Sequence, residues 1–194
     1  GIELPDIPLP DEEEVEEEIV YTFEDSAFKF AVVGVGQGGS RIAETFWQLG
    51  YRRVGVINTA KQDLSLIKVP EQNKLLIGDG GAGKNPAKAE EVFKTRYEDI
   101  LDFLKKVFGR GYERVIVCVG AGGGTGAGGA ASVLEICHDL NQSLGKETKD
   151  TDAKVGCIVA LPTRGEGIKV QENSKKTVSK ITDLCKAGVI SPLV

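Results

Sequence analysis

Fifteen of the chain's 25 glycines fall into three short clusters, residues 34–39, 78–83 and 120–129, and each cluster follows a run of apolar residues. Glycine lets a backbone come close enough to a ligand to donate successive N–H groups, and a row of such donors is a cradle for an anion. One such loop would be explained by turn chemistry, because turns and helix caps need glycine anyway. Three loops, each after a strand of one open parallel sheet, gather at the carboxyl edge where such sheets bind ligands. That arrangement points to a polyphosphate.

The first cluster, Val33-Gly34-Val35-Gly36-Gln37-Gly38-Gly39, satisfies G-x-G-x-x-G through Gly34, Gly36 and Gly39, and alone it would read as a dinucleotide site. A dinucleotide enzyme needs an acid at the end of the second strand to hold a ribose hydroxyl. Here Ile57 is followed by Asn58-Thr59-Ala60, with Asp63 close by. The second cluster, Gly78-Asp79-Gly80-Gly81-Ala82-Gly83-Lys84-Asn85, approaches the P-loop pattern but has Asn85 where a hydroxyl residue must hold magnesium. The third, Gly120-Ala121-Gly122-Gly123-Gly124-Thr125-Gly126-Ala127-Gly128, offers consecutive N–H groups, one hydroxyl and a helix start, an anion cradle that requires no lysine.

Positioning these loops requires a regular scaffold. Short apolar runs alternate with long amphipathic segments, the pattern of an α/β fold, a Rossmann-like three-layer parallel sheet with helices on both faces. Strands are expected at Phe28–Val33, Val54–Ile57, Lys74–Ile77, Val115–Val119 and Val155–Ala160, with another opening at Ile190. Helices are expected over Ser40–Leu49, Pro86–Phe108, Ala127–Leu144 and Glu166–Ala187. The second has Asn85 as its cap and Pro86 at its first position, and buries Val92, Phe93, Ile100, Leu101, Leu104 and Val107. Gly188 ends the last.

Composition sets the boundaries. Of 194 residues, 41% are hydrophobic and 27% charged, which suits a soluble domain; no apolar run is long enough to span a membrane, and no secretion signal opens the chain. The four cysteines have neither zinc nor disulfide spacing, which fits a reducing cytoplasm. A single His138 rules out any mechanism that needs two histidines, and with no methionine present Gly1 reads as the start of a domain excerpt. Charge is unevenly spread. Residues 1–28 carry 11 of the 29 acids and no base, so residues 29–194 hold 24 bases against the remaining 18 acids, a net +6. Residues 1–28 are expected to be a flexible acidic arm, either a solvated tail or a contact with a basic surface. The bases of the body are dispersed, without the basic, aromatic-interleaved stripe of a nucleic-acid binder.

Gly122-Gly123-Gly124-Thr125-Gly126-Ala127-Gly128 resembles the G-G-G-T-G-[STA]-G loop of the tubulin/FtsZ GTPase family. The likeness runs from Phe30 to the end of the chain. It includes the first glycine loop, Ile57-Asn58-Thr59, Gly81 to Pro86, Leu161-Pro162 and Glu166-Gly167. The resemblance implies GTP or GDP as ligand. Gln37, Gly38, Gly39, Ser40 and Arg41 would lie against the phosphates, with Gly122, Gly123, Gly124, Thr125 and Gly126 on the other side. Ala82 and Gly83, followed by Asn85, would face the terminal phosphate. Glu166, beside Pro162, would bind the ribose hydroxyls, and Asn58 would sit near the phosphates and a Mg2+ held mainly through them. Read without the family, Glu166 is an ordinary acid at a helix start and Asn58 a satisfied loop residue.

Departures from the family pattern are specific. Ala60 stands where FtsZ-type sequences carry an aspartate, Val170 where many carry an arginine, and Lys84 where alanine is usual. They suggest a divergent branch similar to phage, plasmid or archaeal tubulin-like proteins. Residues 29–194 correspond to the GTP-binding domain, with the family's second domain expected beyond Val194. The resemblance implies a head-to-tail homopolymer with GTP at the subunit interface, open to adaptor proteins, whose hydrolysis needs an acidic loop from the next subunit. No catalytic residue is therefore expected in this chain. A non-hydrolysing module of the same fold is the alternative, and an NAD-linked dehydrogenase a third.

Overall fold

The computed structural model describes residues 29–78, 80, 85–148 and 154–190. The acidic arm of residues 1–28, the loop residues Ala82, Gly83 and Lys84, and a strand running on past Ile190 lie outside them.

Among the described residues five strands, β1 (Phe30–Val35), β2 (Val54–Asn58), β3 (Lys74–Leu76), β4 (Arg114–Gly120) and β5 (Lys154–Ala160), form one sheet in the order β3-β2-β1-β4-β5. Every pairing is parallel. β1 and β2 are buried almost throughout, which is why they read as unbroken apolar runs rather than alternating ones. Six helices among the described residues connect and cover them: α1 (Gly36–Gln48), α2 (Lys61–Ser65), α3 (Pro86–Thr95), α4 (Tyr97–Phe108), α5 (Gly124–Thr148) and α6 (Ile168–Lys186).

Side chains alternate along each strand, so the sheet feeds two cores. Ala31, Val33, Val35, Val117 and Val119 join Phe93, Ile100, Leu104, Phe108, Val133 and Ile136 of α3, α4 and α5. Val32, Val54, Val56 and Cys118 pack on the other face with Ala43 of α1 and Leu64 of α2. Helix α6 lies against α5 and adds Ile181 to the first core. The three-layer α/β expectation is met.

The expected helix over Pro86–Phe108 is two helices, broken at Arg96, whose backbone (φ −101°, ψ 22°) is not helical. No glycine or proline marks the break. The cause is tertiary: Phe93 of α3 packs so close to α5 that a Cβ on Gly129 would meet its ring at 2.5 Å, while α4 turns to pack Phe103 against Gly55 of β2. The short α2 and a 3-10 turn at Glu71–Asn73 carry too few residues to show a period. Helix α6 begins at Ile168, leaving Glu166 in the preceding turn, and among the described residues no helix is long and apolar enough to cross a membrane.

Candidate functional site

Because all five strands are parallel, the segments that follow β1, β2, β4 and β5 meet at one edge. Helix α1 opens directly from β1 at Gly36, whose φ of +73° suits glycine; a Cβ there would also strike the Gly126 amide nitrogen at 2.8 Å. Gly39 holds α1 hard against β4, since a Cβ would lie 2.1 Å from the Cys118 carbonyl oxygen. Many of the glycines read from sequence as ligand-facing thus serve backbone packing: Gly34, Gly39, Gly126 and Gly128 have no room for a methyl group, whereas Gly123 has nothing within 4 Å.

Hydrogen bonds fix the loops to one another. Thr59 Oγ1 and Thr125 Oγ1 lie 2.8 Å apart, joining the segment after β2 to the start of α5. Ala121 donates its N–H to the Ala160 carbonyl (3.0 Å), and Thr177 of α6 donates its hydroxyl to the carbonyls of Ala121 and Asn173. The Glu166 carboxylate accepts from the Thr163 amide at 3.0 Å, closing the turn before α6.

These segments frame an open cavity of about 610 Å³. Of the residues singled out from sequence, Gln37, Gly38, Arg41, Asn58, Gly122, Gly123, Gly124, Thr125, Gly126, Pro162 and Glu166 line it. Gly39 and Ser40 are buried and do not line it; Ser40 Oγ has no partner. Asn85 is exposed and caps α3, accepting from the Lys88 amide at 3.4 Å. Ala82 and Gly83 lie outside the described residues. The wall also includes Val35, Ala60, Asp63, Gly120, Ala160, Leu161 and Val170. Most of these carry no chemical signal in sequence, being apolar residues brought there by strand ends. Asp63 was legible as an acid near the second loop.

The wall suits an anion. α1 has no side-chain cap, and neither α1 nor α5 carries an acid in its first turn, so the partial positive charge of both helix starts is left uncompensated by their own side chains. Asn58 is 1% exposed, and its Oδ1 accepts from the amides of Thr59 and Ala60 at 2.8 and 3.2 Å. This turn commits the oxygen to its own backbone; Nδ2 is buried with no partner, and Asn58 is one of the residues that line the cavity. Arg41 adds the cationic side chain, and Asp63 and Glu166 the carboxylates. Among the described residues no group of three or more His, Cys, Asp or Glu could hold a metal.

A parallel sheet whose strand ends and two helix starts surround a cavity within the usual range for small-molecule sites defines a Rossmann-type α/β binding domain. The model of the Tubulin/FtsZ family GTPase domain matches residues 29–192, and the chain belongs to that family. It is 33% identical over 161 residues to the "Tubulin-like protein CetZ" of Pyrococcus horikoshii, an alignment that covers 78% of this chain and 40% of that protein. In solved structures, the fold matches GDP-bound monomeric CetZ1 from Haloferax volcanii with a TM-score of 0.71 at 22% identity, covering 86% of this chain and 50% of that one. It also matches the GTPγS-bound protofilament of CetZ2 from the same organism (TM-score 0.66, 24% identity, 80% and 46% covered). The chain spans about half or less of the length of these relatives.

Proposed function

We propose that the cavity binds a guanine nucleotide, and that this chain is the nucleotide-binding half of a GTPase that polymerises head to tail. The observation that carries the reading is the pair of helix starts, α1 and α5, set on one cavity that the partnerless Asn58 also lines. In this reading Gln37, Gly38 and Arg41 bind the phosphates from one side and Gly122 to Gly126 from the other, with Gly39 and Ser40 supporting the first loop from beneath. Asn58 donates to a phosphate oxygen. Glu166, beside Pro162, accepts from the ribose hydroxyls. Mg2+, when bound, neutralises phosphate charge, and Asp63 is the wall carboxylate able to orient its waters.

The relatives extend the proposal. One fold relative holds GDP as a monomer and another forms a GTPγS-bound protofilament. By family analogy, hydrolysis here is completed by an acidic loop of the next subunit, so that nucleotide sits at the contact between copies. The chain's own contribution is to bind and orient the nucleotide; the water-activating group comes in trans. The four free thiols suit a reducing cytoplasm. A second reading, a nucleotide-binding module without hydrolysis, draws on Ala60 and Val170: both line the cavity, and both are apolar where the family pattern has charge.

Calorimetric titration with GTP, GDP, ATP and NAD in magnesium buffer tests the proposal. The expected result is binding of guanine nucleotides with no phosphate release by the isolated chain. NAD binding alone would overturn it. Phosphate release on supplying a relative's downstream half in trans would separate the GTPase from the non-hydrolysing reading.

A further inference from the structure

The edge of the sheet opposite the cavity is basic. Lys29 precedes β1, Arg52 and Arg53 precede β2, Arg110 precedes β4, and Arg114 and Lys154 are the first residues of β4 and β5. The register makes this a row: Phe30 pairs with Arg114, and Arg114 with Lys154, while Val32 opposite Val54 brings Arg52 and Arg53 to the same end. Glu113 is the acid among the described residues of these loops, and before β3 Glu71 is paired with Lys74.

Some of these charges are held in place. The Arg52 guanidinium lies 4.4 Å from the centre of the Trp47 ring and donates to the carbonyls of Trp47 and Tyr51. Arg53 donates to the Phe108 carbonyl at 2.7 Å. The carbonyl partners of Arg52 position its guanidinium without neutralising it, and Lys29, Arg52 and Arg114 enter none of the ion pairs among the described residues.

The chain enters β1 at this same edge. Residues 11–18, Asp-Glu-Glu-Glu-Val-Glu-Glu-Glu, hold seven acids and no base. Glu18 is 11 residues before Lys29, a tether of up to about 36 Å at about 3.3 Å per residue. The five strands span about 20 Å at about 4.8 Å per step, so the acidic run reaches every base in the row. Tethering supplies an effective concentration of order millimolar, well above that of a second copy in dilute solution.

We propose that residues 11–18 dock on the basic amino edge of their own chain's sheet, masking it. The arm then acts as an internal polyanion, placed on the face away from the nucleotide cavity, and its hold weakens as salt screens the charges.

Carbodiimide coupling, which joins a carboxylate to a lysine amine in direct contact, tests this on the full 194-residue chain. An equal mixture of 14N- and 15N-labelled protein is used at low micromolar concentration. Coupled peptides should join residues 11–18 to Lys154 and to Lys105 and Lys106, which end α4 at the same edge. Both halves of each peptide should carry one isotope, and yields should fall about fivefold or more from low to high salt. Exchanging Glu12, Glu13 and Glu14 for Gln, which leaves residues 29–194 untouched, should lower coupling of Glu16 to Glu18 at least about threefold. Arg52→Gln should lower it without moving the melting point by more than about 3 °C. Equal coupling to Lys61 and Lys169, which flank the carboxyl edge, would overturn the proposal. So would peptides of mixed isotope, which would assign the contact to a second copy, or yields indifferent to salt.

Discussion

Thr59 Oγ1 and Thr125 Oγ1 face each other at 2.8 Å with both residues under 10% exposed, so the loop after β2 and the first turn of α5 are locked by a hydroxyl pair. Each hydroxyl can donate and accept, which lets Thr125 bond Thr59 and still offer an interaction to a ligand. Thr125→Val removes one partner and leaves the other buried and unpaired. The expected loss is about 1–3 kcal/mol of stability, and the double variant Thr59→Val/Thr125→Val should lose less than the sum of the two singles, because it leaves neither hydroxyl unpaired. Urea denaturation of the four proteins in the cycle measures the coupling; strict additivity would show the pair to be energetically idle.

Gly39 and Gly123 should respond in opposite ways to alanine. At Gly39 the new methyl group meets the Cys118 carbonyl oxygen at 2.1 Å, backbone against backbone, with no side chain free to yield. Gly39→Ala should therefore cost about 3 kcal/mol or more, or leave no folded protein. At Gly123 the methyl group meets nothing within 4 Å, so Gly123→Ala should melt within a few degrees of the parent yet bind nucleotide about tenfold or more weakly, because the space it fills is the cavity mouth. Thermal melts and calorimetry on both variants make the comparison.

Asn58 offers a charge test at constant shape. Aspartate in its place keeps an oxygen for the amides of Thr59 and Ala60 but replaces the inward donor by an anion. Nucleotide affinity should fall about 100-fold, since a charge-assisted hydrogen bond becomes a repulsion, while the fold is retained. Unchanged GDP affinity of Asn58→Asp in magnesium-free buffer would remove Asn58 from the phosphate site.

Burial raises three of the four thiols. Cys118 and Cys137 are pushed far up, and Cys157 to about 12, in each case chiefly because a thiolate cannot be solvated inside the sheet and α5. Cys185, half-buried in α6, is the accessible one. A disulfide reagent at pH 8 should modify one thiol quickly and the other three only on unfolding. Four fast thiols in the native chain would contradict the packing.

Tyr97 of α4 donates to Asp139 of α5 at 2.8 Å, and burial, followed by that carboxylate, raises its phenol from 10.0 to about 12. A raised folded value favours the neutral phenol. The contribution is complete below the unfolded pKa and is lost as pH climbs from 10 towards about 12. Tyr97→Phe should cost about 1 kcal/mol at neutral pH and flatten the alkaline fall in melting temperature. An identical alkaline profile in the variant would show that this bond does not couple to folding.

What the sequence determined by itself is the part of the protein governed by local periodicity and local backbone chemistry. The apolar runs of β1, β2, β4 and β5, the Asn85-Pro86 start of α3 and the three glycine clusters all follow from near neighbours in the chain, and they carry the fold class and the proposal of an anion site. The motif at Gly122 to Gly128 carries the family. Tertiary structure decided what depends on surfaces distant in sequence. Arg96 breaks a helix because Phe93 must meet Gly129 while Phe103 meets Gly55, a conflict that no local signal records. Which glycines line the cavity is likewise a matter of what lies opposite: Gly39 is shut against Cys118, whereas Gly123 has open space beside it and lines the cavity. Val35 and Ala160 enter the cavity wall because parallel strands end together, and Asn58 is left with a buried, partnerless amide nitrogen because its oxygen is committed to its own backbone.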